Sequence, residues 1–256
     1  MSRKKLIVVI PTAPNGSIDA RLVEWMFIVS GDKIPGWTVQ CVICREQPVV
    51  AARNRLVKHF LSTDGDVMLT IDSDQVPQLT EGDDNGGLGL LLEAIERDDV
   101  DIVNAITVRN TKDGPLPVIN RMTGPVKAEL HAEILQRKQG LHELGPDGVM
   151  GGAGIMVKRH VLQAFQDKEV LWFWDVFVEK QGKMRCEDTG KDLWGERLVG
   201  HDVWFFLQAH ELGFRSWVDT RVFWGHVKTQ DIRKEFNRDI ELLTQIDNLK
   251  RKAVAV

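Results

Sequence analysis

The chain has 256 residues, 43% hydrophobic and 27% charged, with a formal net charge of −4. That length can bury a sizeable core as one large α/β domain or two small ones. The net charge gives no global electrostatic case for nucleic acid or an anionic membrane, although a local basic patch stays open.

Residues 6–10 form the first predicted strand. The basic residues before them give the start of the chain a superficial likeness to a leader peptide. The apolar run is only five residues long before Pro11, however, too short for one. No stretch approaches the length of a membrane span. The exit loop 11–16 reads Pro-Thr-Ala-Pro-Asn-Gly. A helix is predicted over 20–29 and a strand over 37–44. Cys41 and Cys44 have the spacing of a metal or redox pair, but no second Cys/His pair stands nearby and both lie inside the strand. With Cys186 they make three cysteines. They are expected to be reduced core thiols, in a cytoplasmic setting. Residues 49–61 carry apolar side chains at helical spacing, with Arg53 and Asn54 in the first turns.

Residues 67–71 are a short apolar run that reads as a buried strand, and it delivers Asp72 and Asp74 to its carboxyl end. Ligands of open α/β sheets sit beyond the carboxyl ends of the strands. Two acids one residue apart there can share a divalent cation or divide the work, one on Mg²⁺ or Mn²⁺ and one on a sugar hydroxyl. Magnesium takes one or two protein carboxylates and fills its other positions with water and substrate phosphates. An acidic turn that merely ends a strand fits the same residues. A helix over 87–97 and a strand over 101–108 complete an alternation that predicts a mostly parallel, doubly wound sheet.

The middle is less regular. Residues 109–126 hold three prolines and are expected as a loop with one short strand, and 128–138 as a short helix. Gly151-Gly152-Ala153-Gly154 opens a strand. It lacks the Lys and Ser/Thr of a phosphate loop, but its glycines permit close backbone approach to a ligand, or else form a bulge. A helix over 160–166 and an aromatic stretch over 170–178 follow. Asp202 sits where the next helix, 204–212, begins. A carboxylate is favoured there by the helix dipole, so Asp202 is either a helix cap or a general base. A strand over 216–224 brings His226 to its end, where an imidazole can ligate Mn²⁺ or be purely structural. An amphipathic helix is expected over 230–252.

In this order, residues 7–12, Ala51-Ala52-Arg53-Asn54-Arg55, Ile71-Asp72-Ser73-Asp74, Gly151-Gly152-Ala153-Gly154, Gly200-His201-Asp202 with Gly213-Phe214, and Gly225-His226 resemble the GT-A glycosyltransferases, specifically the family-2-like bacterial and phage members. The resemblance runs from about residue 6 to 228. It implies a single GT-A domain over 1–228, with a nucleotide-binding half (1–110), an acceptor and catalytic half (111–228), and a C-terminal helical extension (229–256). It implies Asp74 and His226 as metal ligands, with Asp72 as a sugar or ribose contact and possible ligand. Pro11, Thr12, Arg53, Gly152 and Ala153 are implied around the donor, and Asp202 as the base of an inverting transfer. His201 stands where the family has Glu. The implied partners are a nucleotide-diphosphate sugar, Mn²⁺ or Mg²⁺, and an acceptor hydroxyl on a glycan, a lipid-linked molecule or a modified nucleic acid.

Acceptor choice is expected from 170–197. There Trp172, Trp174 and Trp194 can stack on rings or fill a core. Lys180, Lys183, Arg185, Lys191 and Arg197 are offset by Glu179, Glu187, Asp188, Asp192 and Glu196. Two other readings fit parts of the chain. A sugar-phosphate nucleotidyltransferase would carry a Gly-rich basic loop after the first strand, which 11–16 lacks. A non-catalytic nucleotide-sugar binding domain is kept open by His201.

Overall fold

The computed structural model describes residues 3–226 apart from Asn15, Gln47, 78–84, 112–113, 124–127, Asp175 and 186–191. Side chains are described except at 109–111, 114–115, 128, 176–185, 192–199 and 226. The expected C-terminal helix lies outside the described residues.

The elements run β1 (Lys4–Thr12), α1 (Ala20–Val29), β2 (Trp37–Arg45), α2 (Val49–Ser62), β3 (Val67–Thr70), β4 (Gln75–Pro77), α3 (Leu88–Ile95), β5 (Ile102–Thr111), β6 (Gly114–Pro117), β7 (Ile119–Met122), β8 (Ala128–Leu130), α4 (Ala132–Leu135), β9 (Leu141–Glu143), β10 (Gly148–Met150), β11 (Ile155–Lys158), α5 (Arg159–Asp167), β12 (Val176–Arg185), β13 (Asp192–Val199), α6 (His201–Glu211) and β14 (Ser216–His226). The main sheet is ordered β2-β1-β3-β11-β5-β14-β4. β1 runs parallel to β2 and β3, and β5 parallel to β14. β11 runs antiparallel to β3 and β5, and β4 antiparallel to β14.

The apolar runs form strands because the sheet is covered on both faces, so every position of a run such as 6–10 is buried. The alternation of the pleat sorts these side chains into two cores. Ile7, Val9, Met68, Ile102, Ile155 and Val157 pack under α2, α5 and α6. Leu6, Val8, Ile10, Leu69, Val103 and Met156 pack under α1 and α3. The same alternation separates the two described cysteines: Cys44 leans on the first core and Cys41 on the second. The pair therefore cannot close on one ion, and burial pushes both thiols up from their ordinary value.

The middle departs from expectation. Residues 109–126 contribute β6 and β7 as well as the end of β5, and among the described residues β6 pairs only with β5. Two prolines fit that edge strand because a free edge needs no ladder donor. The helix expected over 128–138 is one turn, α4, preceded by β8, which joins β7 and β10 in a separate three-stranded sheet. α6 begins earlier than its apolar residues suggest, at His201, with Gly200 in the N-cap position.

Candidate functional site

Topology gathers the site at one edge of the main sheet. The parallel strands β1, β3 and β14 end there, at Thr12, just before Asp72, and at His226. β11 runs the other way, so its preceding turn, 151–154, arrives at the same edge. This is the edge at which ligands of α/β sheets sit.

Asp72 and Asp74 occupy a tight turn closed by the Gln75 amide donating to the Asp72 carbonyl at 2.9 Å. The Ser73 carbonyl accepts from the Asp19 amide at 3.1 Å, which ties the turn to the start of α1. Both acids are half-buried. In the β4–β14 pairing, His226 stands opposite Gln75. Its backbone therefore lies within about 5 Å of the residue that follows Asp74.

Arg53 is 3% exposed, and its guanidinium is shared between two partners. Nη2 donates to Asp72 Oδ1 at 2.6 Å, and Nη1 to the Gly152 carbonyl at 2.8 Å. Thr70 Oγ donates to the same carbonyl at 2.5 Å. The Gly152 amide in turn donates to Asp202 Oδ2 at 3.1 Å, while Asp202 Oδ1 accepts from the Val203 amide. Asp202 is thus inside the first turn of α6 rather than its cap, and its carboxylate is turned toward the glycine-rich segment. Gly154 adopts φ +81° and donates to the Thr70 carbonyl at 2.7 Å. A side chain there would also crowd Ala105 and Trp224. Ala153 is buried beside it.

Aromatic residues buttress the arrangement. Phe165, Phe205 and Phe173 stack with centroids 5.5 and 5.2 Å apart, and the Arg53 guanidinium lies 5.4 Å from the Phe173 ring. His201 meets Phe173 edge-on at 6.4 Å. Of the expected stacking tryptophans, Trp172 is buried in the core and Trp174 is 49% exposed. The side chains of Trp194 and of the charged residues from 176 to 199 lie outside the described ones.

Pro11 and Thr12 are buried at the end of β1, and Thr12 Oγ has no hydrogen-bond partner among the described residues. The same holds for Arg53 Nε and Gln75 Oε1. Buried polar atoms left without a partner are uncommon in folded proteins, and among the described residues Asn104 and His131 carry such atoms as well. The donor set of the 72–74 turn is hard carboxylate oxygen, which suits Mg²⁺ or Mn²⁺. Among the described residues no cluster of three or more His, Cys, Asp or Glu side chains is preassembled for an ion. The His226 side chain lies outside them.

The pattern of the sequence did not single out Thr70, Phe173 or the role of Asn54. Thr70 looks like any strand residue, and Phe173 like one aromatic among several. All three stand in segments already of interest, Thr70 in 67–71, Phe173 in 170–197 and Asn54 in Ala51-Ala52-Arg53-Asn54-Arg55, but no local pattern marks the individual residue. A cavity of 730 Å³ lined by Lys4, Trp37, Lys158 and Arg159 lies at the opposite edge, where the parallel strands begin.

No family model matches this sequence, and no curated protein matches it. Solved structures do resemble it. The protein A197 from STIV superposes with a TM-score of 0.50 at 15% identity, over 88% of this chain and 86% of that one. The fold is GT-A-like. GalNAc-T7, solved with UDP, GalNAc and Mn²⁺, superposes with a TM-score of 0.50 at 12% identity over 90% of this chain. This chain spans only 45% of that protein's length. At these identities the likeness concerns the fold alone. Among the described residues, no helix is long and apolar enough to cross a membrane.

Proposed function

We propose that the protein is a metal-dependent glycosyltransferase that moves a sugar from a nucleoside-diphosphate sugar to an acceptor hydroxyl, with inversion. The observation that carries the reading is the chain of contacts Asp72–Arg53–Gly152–Asp202. It joins a carboxylate of the strand-end acidic turn to a carboxylate at a helix start, both at the ligand-binding edge of the sheet.

In this reading Asp74 and His226 hold Mn²⁺ or Mg²⁺, with Asp72 directed at the donor sugar or ribose. A bound divalent ion supplies charge compensation for a diphosphate leaving group. Thr12 and Pro11, at the end of β1, border the nucleotide, and Gly152 and Ala153 form the wall between donor sugar and acceptor. Asp202 takes the proton of the acceptor hydroxyl. The acceptor oxygen bonds to the anomeric carbon as the bond from that carbon to the diphosphate oxygen breaks. The bonding pair leaves with the diphosphate, and the proton remains on Asp202. Acceptor contacts are assigned to 170–197, where Trp174 presents an exposed ring, and residues 1–228 act as one unit.

A thermal-shift panel of UDP, GDP, CDP, ADP and dTDP, each with and without Mn²⁺, tests the donor site. Stabilisation by one nucleotide that requires metal and disappears in Asp74→Ala is the expected result. If no nucleotide shifts the melting temperature with metal, the acids are strand-end residues and the reading fails.

A further inference from the structure

Arg53 belongs to the segment expected to touch the nucleotide, yet it is closed off from solvent and each terminal nitrogen is given to a protein oxygen. Gly152 is fitted to it. A methyl group on Gly152 would stand 2.1 Å from Nη1 and 2.7 Å from Cζ and Nη2. Contacts that short are impossible for real atoms, and the guanidinium is boxed in by Phe173 and Asp72, so it has no easy retreat. Residue 152 is glycine because Arg53 occupies its side-chain space. Gly152 also holds Asp202 through its amide, while its carbonyl is held by Arg53 and Thr70. The orientation of this one residue is therefore set from the Arg53 side and transmitted to Asp202.

We propose that Arg53 is a positioning residue that couples Asp72 to Asp202 through Gly152, so that the donor-side carboxylate and the base are set by a single guanidinium. The functional part of this statement rests on the roles proposed above for Asp72 and Asp202. The coupling itself does not. Bidentate sharing needs the planar fork of an arginine; an ammonium is a point donor and cannot serve both partners in the same geometry.

The test is a double-mutant cycle of Arg53→Ala and Gly152→Ala, read by urea unfolding and by nucleoside-diphosphate release from UDP-, GDP- and dTDP-glucose with Mn²⁺. Gly152→Ala alone is expected to lower stability and to cut release about 100-fold through kcat, since misplacement of about 1 Å costs that much. KM should change little. In the Arg53→Ala background the added methyl has room, and Gly152→Ala should have no further effect on either reading. Low-millimolar guanidinium ion should restore part of the activity of Arg53→Ala and none of that of Gly152→Ala.

Additive effects of the two substitutions would overturn the proposal, as would wild-type turnover in Arg53→Lys. Should Arg53→Ala fail to fold, Arg53→Lys replaces it in the cycle, because it keeps a cation beside Asp72. The urea cycle decides the coupling even if no donor is turned over. Absence of turnover and of nucleotide binding in the wild type would instead remove the glycosyltransferase reading.

Discussion

Asn54 and Phe173, 119 residues apart, form a closed pair of hydrogen bonds: Asn54 Nδ2 donates to the Phe173 carbonyl at 2.9 Å, and Asn54 Oδ1 accepts from the Phe173 amide at 3.1 Å. The side-chain amide of α2 thereby replaces the backbone partner that an irregular segment lacks. It fixes the aromatic ring of Phe173, which lies against the Arg53 guanidinium. Adjacent residues of α2 thus divide the task, Arg53 holding the polar groups of the site and Asn54 holding the wall behind them.

Removing that pair should be felt in both stability and activity. Asn54→Ala leaves a buried N–H and C=O of Phe173 without partners, at a cost of about 1–3 kcal/mol. Urea unfolding of Asn54→Ala beside Asn54→Asp checks this. Equal stability of Asn54→Ala and wild type would mean that water takes over both bonds.

Phe205 is the middle ring of the Phe165–Phe205–Phe173 stack. Phe205→Ala should cost about 3–5 kcal/mol by opening a cavity in the core. The loss should be largely recovered in Phe205→Leu. Calorimetric melting of the two variants distinguishes a supporting stack from a peripheral contact.

Asp202→Asn is expected to retain metal-dependent nucleotide binding, because an amide oxygen can still accept from the Gly152 amide, and to lose transfer by about 10²–10⁴-fold, the usual contribution of a general base. Isothermal titration of the nucleotide alongside the transfer assay separates the two effects. Loss of binding would reassign Asp202 to a structural role.

Acid should weaken the fold through His210. One ring nitrogen lies 2.9 Å from the Pro146 carbonyl and the other 2.6 Å from Ser216 Oγ. The neutral ring therefore donates to Pro146 and accepts from the Ser216 hydroxyl. Burial pushes this imidazole below its ordinary value of 6.5, only partly opposed by the Pro146 carbonyl and by Asp147 and Glu143. The unfolded chain then binds a proton that the folded chain resists. The contribution is complete above 6.5 and is lost as pH falls toward the lowered folded value. His131, pushed down by burial as well, acts in the same direction. The urea midpoint should fall with acid below 6.5 and fall less steeply in His210→Gln; parallel pH curves would assign the effect to other groups.

Much of this architecture was readable in the sequence because it depends on local patterns. The apolar runs at 6–10 and 67–71 and the helical spacing of 49–61 each carry their own periodicity. Helix α1 falls on the expected residues 20–29, and β2 differs from expectation by one residue. The acidic pair after a buried strand, and a carboxylate at the start of a helix, were legible for the same reason: strand end and helix start are one-dimensional features. The misread stretch, 109–138, is where strands pair at an edge and in a separate small sheet. There the pairing partner, and not the period, selects the strand.

What only the tertiary structure decided is which of these features meet. Arg53 reaches Asp72 across 19 residues and Gly152 across 99, and Gly152 reaches Asp202 across 50. None of these separations carries a period, and nothing in the residue types around Gly152 announces that its missing side chain is filled by an arginine from α2. The hydrophobic pattern determined that strands would stack into a covered sheet with carboxylates at its carboxyl edge. The order and direction of those strands determined that one buried guanidinium would stand between two of the carboxylates, because hydrogen bonds of 2.6 to 3.1 Å are specified by position in space and not by distance along the chain.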